Sequence, residues 1–226
     1  MNVAIIAAAG AGTRMAGKRP KQFLELAGTP IIVHTLRAFE QCEAIQEIIV
    51  VLAADETPGF LDLAQRHGVR KIKSVVMGGA TRAESVRQGF LKVALDAEVV
   101  TVHDGVRPFV TSDEISRTIA AAQSEGAAIL VSRVFNTIKR VSDDTVVGTV
   151  KREDLRNALT PQCFRYELLK RAYEQAELSD PELTDEAVLI ERLGAKIVAV
   201  EGSARNIKIT RQEDLAIGEA ILKEWS

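Results

Sequence analysis

Short runs of Val, Ile and Ala alternate along the chain with stretches in which apolar residues recur at helical spacing. The apolar runs have the length of buried strands, and this alternation is typical of an α/β protein with a mostly parallel sheet. The predicted strands are 2–7, 47–52, 71–76, 98–102, 127–131 and 196–200. The predicted helices are 30–41, 57–67, 82–94, 112–124, 165–177, 185–193 and 211–223. Three helices begin after a Thr that is followed three positions later by Glu, the spacing of a capping box, at Thr81, Thr111 and Thr210.

The segment 134–151 interrupts this alternation. Residues 137–141 and 145–150 each alternate with period two, and 142–144 have the composition of a turn, so the segment predicts a β-hairpin inserted into the α/β domain. Its polar and basic residues favour an arm that projects from the core. The pattern leaves two interpretations open, a plain surface hairpin and a dimerisation arm that borders the functional site.

Composition and charge narrow the class of protein. The 226 residues are 46% apolar and 27% charged, which is ordinary for a globular protein with a sizeable core. The 29 Lys and Arg nearly balance the 31 Asp and Glu, so no overall basic field favours nucleic acid. We expect no membrane span and no signal peptide, because no apolar stretch is long enough and the first strand begins at once. Cys42 and Cys163 match no metal or redox spacing, which predicts reduced thiols in a cytoplasmic protein.

The loop after the first strand, residues 8–22, carries the strongest chemical signal. Ligands of open α/β sheets bind beyond the carboxyl ends of the strands. Small residues in this loop let backbone N–H groups approach phosphate oxygens, and Arg14 and Lys21 add fixed positive charge. Met15 stands where a dinucleotide-binding fingerprint needs its third glycine, and the lysine pattern of a P-loop is missing. The loop therefore predicts phosphate binding of another kind, with a plain strand-to-helix turn as the alternative.

Two further strand ends carry candidate residues. Gly79, Arg82 and Ser85 lie at the start of a capped helix, where their donors suit a base, a ribose or a phosphate, although an ordinary glycine turn is the alternative. Asp104 ends a buried apolar strand. A carboxylate placed there suits Mg²⁺, which binds one or two carboxylates together with substrate phosphates, and a helix-capping or turn aspartate is the alternative. Arg107 is predicted to contact an anion or to pair with Asp104.

Taken together and in this order, these segments resemble the 2-C-methyl-D-erythritol 4-phosphate cytidylyltransferases of the non-mevalonate isoprenoid pathway. The resemblance runs from about residue 2 to residue 222, and the family pattern is matched at Ala8 to Arg14, Pro20-Lys21-Gln22, Gly78 to Val86, His103 to Pro108, Thr160-Pro161-Gln162, Thr184-Asp185-Glu186 and Asn206 to Thr210. Each motif is weak alone, but the combination is specific. The resemblance implies a single Rossmann-like nucleotidyltransferase domain over residues 1–226, with 134–151 as its arm.

The resemblance also implies an activity, the Mg²⁺-dependent transfer of CMP from CTP to the 4-phosphate of methylerythritol phosphate, with release of pyrophosphate. The catalytic residues are then Arg14, Lys21, Arg152 and Lys208. The nucleotide-binding residues are Ala8, Ala9, Gly10, Gly12, Gly79 and Ser85, to which the helix-start pattern adds Arg82. The acceptor-binding residues are Asp104, Gly105, Arg107, Thr137, Thr160 and Thr184, and Asp104 is also the metal ligand. One departure is Ala80, where some members have an acid, so a base or ribose contact from that side chain is absent.

The same resemblance implies a homodimer in which the arm reaches toward the partner's site. Arg152, which follows the arm, would then serve the neighbouring subunit. Some members are fused to a cyclodiphosphate synthase, and we expect this chain to be monofunctional because its last predicted helix leaves no room for that domain.

Three other functions are left open by the residues. An alditol-phosphate cytidylyltransferase, for example one acting on ribitol 5-phosphate, would share the CTP loop and differ in the acceptor pocket. A regulatory module that binds nucleotide without chemistry is disfavoured by the combination of Arg14, Lys21 and Asp104. An NAD-dependent dehydrogenase is disfavoured by Met15.

Overall fold

The central element is a twisted sheet. The computed structural model describes residues 1–10 and 20–225. In chain order its strands are β1 (Asn2–Ala8), β2 (Glu25–Leu26), β3 (Thr29–Pro30), β4 (Glu47–Leu52), β5 (Ile72–Met77), β6 (Val99–Asp104), β7 (Ala127–Arg133), β8 (Ile138–Ser142), β9 (Thr145–Val150), β10 (Arg156–Arg165) and β11 (Val198–Glu201). Seven of them form one sheet in the spatial order β11-β7-β10-β6-β1-β4-β5. Every pairing in this sheet is parallel except those of β10, which confirms the predicted α/β fold with a mostly parallel sheet.

Helices cover both faces of the sheet. In chain order they are α1 (Ile31–Gln41), α2 (Phe60–Arg66), α3 (Arg82–Phe90), α4 (Ser112–Glu125), α5 (Tyr166–Glu174), α6 (Glu186–Arg192) and α7 (Gln212–Trp225). Apolar residues of α1, α2 and α4 join one buried cluster with the sheet, and those of α3, α5 and α6 join another. Successive residues of β1 alternate between the two clusters, and a strand buried on both faces reads as an unbroken apolar run. None of these helices is long and apolar enough to cross a bilayer.

One strand of the seven-stranded sheet was not predicted from the sequence, and neither were the two-residue strands β2 and β3. Each predicted strand and helix is present, most with shifted ends, but β10 also lies in the middle of the sheet, antiparallel to β6 and to β7. Pro161 lacks the N–H group that a central strand normally donates, so this segment has the sequence of a loop. The pairing between β10 and β7 is interrupted between Ala158 and Gln162, and this irregularity accommodates the proline.

Two of the three predicted capping boxes are formed. Thr81 caps α3 and Thr111 caps α4, each with the expected glutamate. The third prediction, Thr210 with Glu213, is wrong. The carboxylate of Asp214 accepts from the Thr210 amide over 2.7 Å and from the Thr210 hydroxyl over 3.0 Å. Asp214 thus accepts the hydrogen bond from the Thr210 amide that was expected to go to Glu213, because α7 begins later than predicted.

The segment 134–151 contains the predicted hairpin. Strands β8 and β9 pair antiparallel in a sheet of their own, joined through Asp143 and Asp144, which both have positive φ. Asp tolerates this left-handed conformation better than most residues, and it suits a tight hairpin turn. Almost all side chains of the hairpin are exposed, including the apolar Val141, Val146 and Val147.

Candidate active site

The carboxyl ends of β1 and β6 form the topological switch point of the sheet. The chain passes from β1 outward through β4 and β5 and then returns to β6 on the other side of β1. Ala7 pairs with Asp104, and the Gly105 amide donates to the Ala7 carbonyl over 2.9 Å. A Cβ on Gly105 would stand 2.8 Å from the Cβ of Ala8, so the approach requires glycine. Gly105 therefore joins the two strand ends where ligands bind in open α/β sheets, and its predicted contact with the acceptor stays a prediction.

A cavity of about 370 Å³ opens at this switch point, and we call it the first cavity. It lies between the end of β1, the turn at Lys21, the start of α3 and the end of β6. The residues singled out from the sequence that line it are Ala8, Ala9, Gly10, Lys21, Gly79, Arg82, Ser85, Asp104 and Lys208. The structure thus brings the predicted nucleotide-binding residues together with two of the predicted catalytic cations. The predicted residues Gly12 and Arg14 lie outside the described residues.

The turn that presents Lys21 to the first cavity is held by its neighbours. The Gln22 side chain is buried, and its Nε2 donates to the Ala8 carbonyl over 2.7 Å. Phe23 packs edge-on against Phe60, with ring centroids 6.1 Å apart. Gln22 and Phe23 therefore both anchor the turn.

The start of α3 lies close against the end of β1. A Cβ on Gly78 would stand 2.4 Å from the Cβ of Ala9 and 2.8 Å from the Oγ of Ser85, so this approach also requires glycine. The Ser85 hydroxyl donates to the Thr81 carbonyl over 2.8 Å and accepts from the Gly79 amide over 3.1 Å. Ser85 therefore shapes the loop that borders the first cavity.

Three cationic side chains surround the buried carboxylate of Asp104. The Lys208 Nζ lies 2.9 Å from Oδ2, and the Arg107 Nε donates to Oδ2 over 3.2 Å. The Nε and Nη2 of Arg82 each lie 3.4 Å from Oδ1. Burial opposes ionisation of Asp104, but the charges of Arg82, Lys208 and Arg107 outweigh it and hold the pKa of this carboxyl below its ordinary value. Asp104 is therefore ionised at neutral pH and gathers the cations around itself.

A buried polar network fixes Arg107. The Nε2 of His103 lies 3.1 Å from the Arg107 carbonyl, and its Nδ1 lies 3.0 Å from the Thr160 hydroxyl, which also accepts from the Asp104 amide over 3.2 Å. The side chain of Asn206 donates from Nδ2 to the Thr160 backbone carbonyl over 2.8 Å. The backbone carbonyl of Asn206 accepts from Arg107 Nη1 over 2.9 Å. Burial lowers the pKa of His103 to about 4, so the ring is neutral at neutral pH, and its partners assign the proton to Nε2.

A second cavity, of about 140 Å³, also borders Asp104. It is lined by four of the predicted acceptor-binding residues, namely Asp104, Arg107, Thr160 and Thr184. Arg82, Asp104 and Lys208 line both cavities, so the two spaces share one charged wall. A molecule in the second cavity would therefore lie beside one in the first.

Two of the predicted site residues, Thr137 and Arg152, do not line either cavity. Both are exposed. Arg152 instead donates from Nη1 to the carbonyl of Phe135 at the base of the hairpin. Their predicted roles, acceptor binding for Thr137 and catalysis for Arg152, stay predictions.

Sequence reasoning missed the ion pair between Glu186 and Arg82. The two carboxylate oxygens of Glu186 lie 3.0 and 2.9 Å from the Nη1 of Arg82, and its side chain is 1% exposed. The motif Thr184-Asp185-Glu186 was the available signal. An acid in the first turn of a helix usually points to solvent and interacts with the helix dipole, so the motif did not reveal a buried ion pair.

A cavity at the switch point of an open α/β sheet, lined by cations and sharing a wall with a second polar cavity, suits the transfer of a group between two phosphate-bearing molecules. The fold and site thus define a nucleotidyltransferase. The chain belongs to the 2-C-methyl-D-erythritol 4-phosphate cytidylyltransferase family, whose family model matches residues 2–224.

Similar proteins agree with this assignment over nearly the whole chain. The 2-C-methyl-D-erythritol 4-phosphate cytidylyltransferase of Pelotomaculum thermopropionicum is 42% identical over 222 residues, which cover 97% of this chain and 93% of the relative. The corresponding protein of Bacillus cytotoxicus is 45% identical over 222 residues, which cover 98% of each. Among solved structures, the 4-diphosphocytidyl-2C-methyl-D-erythritol synthase of Anaerococcus prevotii aligns with a TM-score of 0.86 at 33% identity, covering 98% of this chain and 96% of that one. The Thermus thermophilus cytidylyltransferase aligns with a TM-score of 0.81 at 33% identity, covering 97% and 98%.

Proposed function

We infer that this chain transfers CMP from CTP to 2-C-methyl-D-erythritol 4-phosphate, giving 4-diphosphocytidyl-2-C-methyl-D-erythritol and pyrophosphate. The observation that carries this inference, beside the family, is the wall of Arg82, Asp104 and Lys208 that the two cavities share. CTP occupies the first cavity and the acceptor phosphate approaches from the second. The alternative acceptor, an alditol phosphate such as ribitol 5-phosphate, is not favoured by the family match.

The reaction needs charge stabilisation and positioning. A phosphate oxygen of the acceptor attacks the α-phosphorus in line, the new P–O bond forms, and the bond from the α-phosphorus to the bridging oxygen breaks as pyrophosphate leaves. An ionised phosphate monoester is already a nucleophile, so no covalent catalyst is required. Lys21 stabilises the charge that develops on the triphosphate, and Lys208 positions the attacking phosphate. We propose the same stabilising role for Arg14, on the family pattern.

The remaining predicted contacts divide between the two cavities. Ala8, Ala9, Gly10 and Gly79 bring backbone close to the nucleotide in the first cavity, Ser85 holds the loop at Gly79, and the Arg82 side chain lines the same cavity. Arg107, Thr160 and Thr184 line the acceptor side. Gly12, Gly105 and Thr137 are included on the family pattern alone.

We propose Mg²⁺ as the cofactor, held mainly by the triphosphate. Asp104 fits as a single carboxylate ligand because it is ionised and lines the first cavity. Both of its oxygens accept from cations, and within residues 1–10 and 20–225 no group of three His, Cys, Asp or Glu side chains could hold a metal ion. Asp104 would therefore contribute one oxygen and the phosphates the rest. Bound there, Mg²⁺ neutralises negative charge on the phosphates.

We propose that the chain forms a homodimer through the arm at 134–151, in which Arg152 acts in the partner's site. In support, Phe135 is 71% exposed and Val146 is 59% exposed, and apolar side chains grouped on a projecting hairpin are typical of an interaction surface. Sedimentation of the purified chain is expected to give the mass of a dimer. A monomer at assay concentrations that is fully active would contradict both the dimer and the role of Arg152 in the partner.

We further propose that residues 1–226 act as one catalytic unit in the cytoplasm. The first cavity draws on residues from Ala7 to Lys208, so the site needs nearly the whole chain. Cys42 and Cys163 are both free and buried, which suits a reducing compartment.

The choice of acceptor can be tested on the purified chain with CTP and Mg²⁺. Methylerythritol 4-phosphate is expected to give a cytidine diphosphate ester visible by phosphorus NMR, and ribitol 5-phosphate is expected to give little. Faster turnover of ribitol 5-phosphate than of methylerythritol 4-phosphate would contradict the proposed function and support an alditol-phosphate cytidylyltransferase.

A further inference from the structure

Glu186 is a buried acid at the start of α6 that has no assigned role. The start of this helix is fixed from two directions. Asp185 caps it by accepting from the Val188 amide over 3.2 Å. Gln162 of β10 donates from Nε2 to Asp185 over 2.8 Å and accepts from the Ala187 amide over 3.2 Å. These contacts fix the backbone at Glu186, and its buried carboxylate therefore has a defined position against Arg82.

The guanidinium of Arg82 contacts two acids, Glu186 and Asp104, and its distances to them differ. Its Nη1 lies 3.0 and 2.9 Å from the two oxygens of Glu186. Its contacts with Asp104 Oδ1 are both 3.4 Å, well beyond the 2.7–2.9 Å of a strong charge-assisted hydrogen bond. The guanidinium is therefore held mainly by Glu186.

The two oxygens of Asp104 consequently differ. Oδ2 is engaged by Lys208 at 2.9 Å and by Arg107 at 3.2 Å, whereas Oδ1 meets only the long contacts from Arg82 among the bonds found in the described residues. Asp104 borders both cavities. Oδ1 thus keeps capacity to accept a hydrogen bond from a bound molecule.

We propose that Glu186 is a positioning residue that holds Arg82 back from Asp104, so that Asp104 Oδ1 can accept a hydrogen bond from a hydroxyl of the polyol acceptor. The proposal rests on the proposed function, because it needs an acceptor that carries hydroxyl groups. Without the charge of Glu186, the strongest attraction on Arg82 is Asp104. The guanidinium then closes on Oδ1 and occupies the site of the acceptor hydroxyl.

The test is Glu186→Gln, which keeps the size of the side chain and one acceptor oxygen but removes the charge. The KM for the acceptor is expected to rise about tenfold or more, the size of losing one hydrogen bond to a charged group. The KM for CTP is expected to change much less, because Arg82 stays at the boundary of the first cavity in either position. An unchanged acceptor KM, or equal rises in both KM values, would overturn the proposal.

Glu114→Gln is the matched control. Glu114 is also a buried acid in the first turn of a helix, where it accepts from the amides of Thr111 over 2.9 Å and Ser203 over 2.6 Å, and it lines neither cavity. Both variants are expected to melt at a lower temperature, but only Glu186→Gln should alter the acceptor KM. A similar change in both variants would reduce Glu186 to a structural role.

A double-mutant cycle separates action through Arg82 from other effects. In an Arg82→Gln background, Glu186→Gln is expected to have little further effect on the acceptor KM, because the side chain through which it acts is gone. Additive effects would contradict the proposal. Wild-type protein that releases no pyrophosphate with CTP and acceptor would instead refute the proposed function, so the two failures are distinguishable.

Discussion

Lys21→Ala is expected to lower kcat at least about a hundredfold, the loss typical of removing one group that stabilises charge in a transition state. Lys21 lines the first cavity, where negative charge shifts onto the departing pyrophosphate. The variant should fold normally, since Gln22 and Phe23 hold the turn through the Ala8 carbonyl and Phe60. Steady-state kinetics at saturating CTP and acceptor, together with thermal unfolding, measure both parts of this expectation.

Lys73→Ala provides the matched control. Lys73 is an exposed residue of β5 that pairs with Glu47 at 3.3 Å, and it lines neither cavity. Its loss should leave kcat near the wild-type value, because exposed ion pairs contribute little. If Lys21→Ala melts like wild type and has nearly the wild-type kcat, Lys21 does not stabilise the transition state.

Asp104→Asn is expected to lower kcat/KM for the acceptor by at least about a hundredfold and to destabilise the fold by about 3 kcal/mol. The substitution keeps the shape of the side chain but leaves Arg82, Arg107 and Lys208 close together without their shared counter-charge. Breaking a buried ion pair costs about 3–5 kcal/mol, and the lower end applies because the Lys208 side chain is 36% exposed and therefore partly screened by solvent.

Denaturant unfolding and acceptor titrations at neutral pH measure the two effects. The matched control is Asp113→Asn, which removes an exposed carboxylate that pairs with Arg117 at 2.8 Å on α4. That change should alter neither stability nor kinetics appreciably. Full acceptor kcat/KM in Asp104→Asn would mean that the three cations hold their positions without the carboxylate, contrary to the role given to Asp104.

Local sequence patterns were sufficient to predict most of the sheet. Strands β1, β4 and β6 are buried on both faces, so they appear as apolar runs that can be recognised without knowledge of their neighbours. Strand β10 could not be recognised in this way. Its proline and polar residues are tolerated in the middle of the sheet only because the pairing is interrupted between Ala158 and Gln162, and that interruption depends on the neighbouring strand.

In the site, too, local features could be predicted from the sequence, and contacts between distant parts of the chain could not. Residues at strand ends, such as Asp104 and Lys21, could be predicted because parallel strands bring their carboxyl ends to one edge. The contact between Arg82 and Glu186 spans 104 positions of sequence and depends on where α6 packs, so no local spacing announced it. One partner of His103, the Thr160 hydroxyl, likewise comes from β10, a strand that was not predicted from the sequence.

The most direct test of the account is acceptor-dependent release of pyrophosphate by the purified wild-type chain. With CTP, Mg²⁺ and 2-C-methyl-D-erythritol 4-phosphate, pyrophosphate should appear in equal amount to 4-diphosphocytidyl-2-C-methyl-D-erythritol. Replacing CTP by UTP or ATP, or omitting the acceptor, should reduce the release to near background. Absence of pyrophosphate from the complete mixture, or equal release from all three nucleotides, would contradict the assignment of this chain as a cytidylyltransferase.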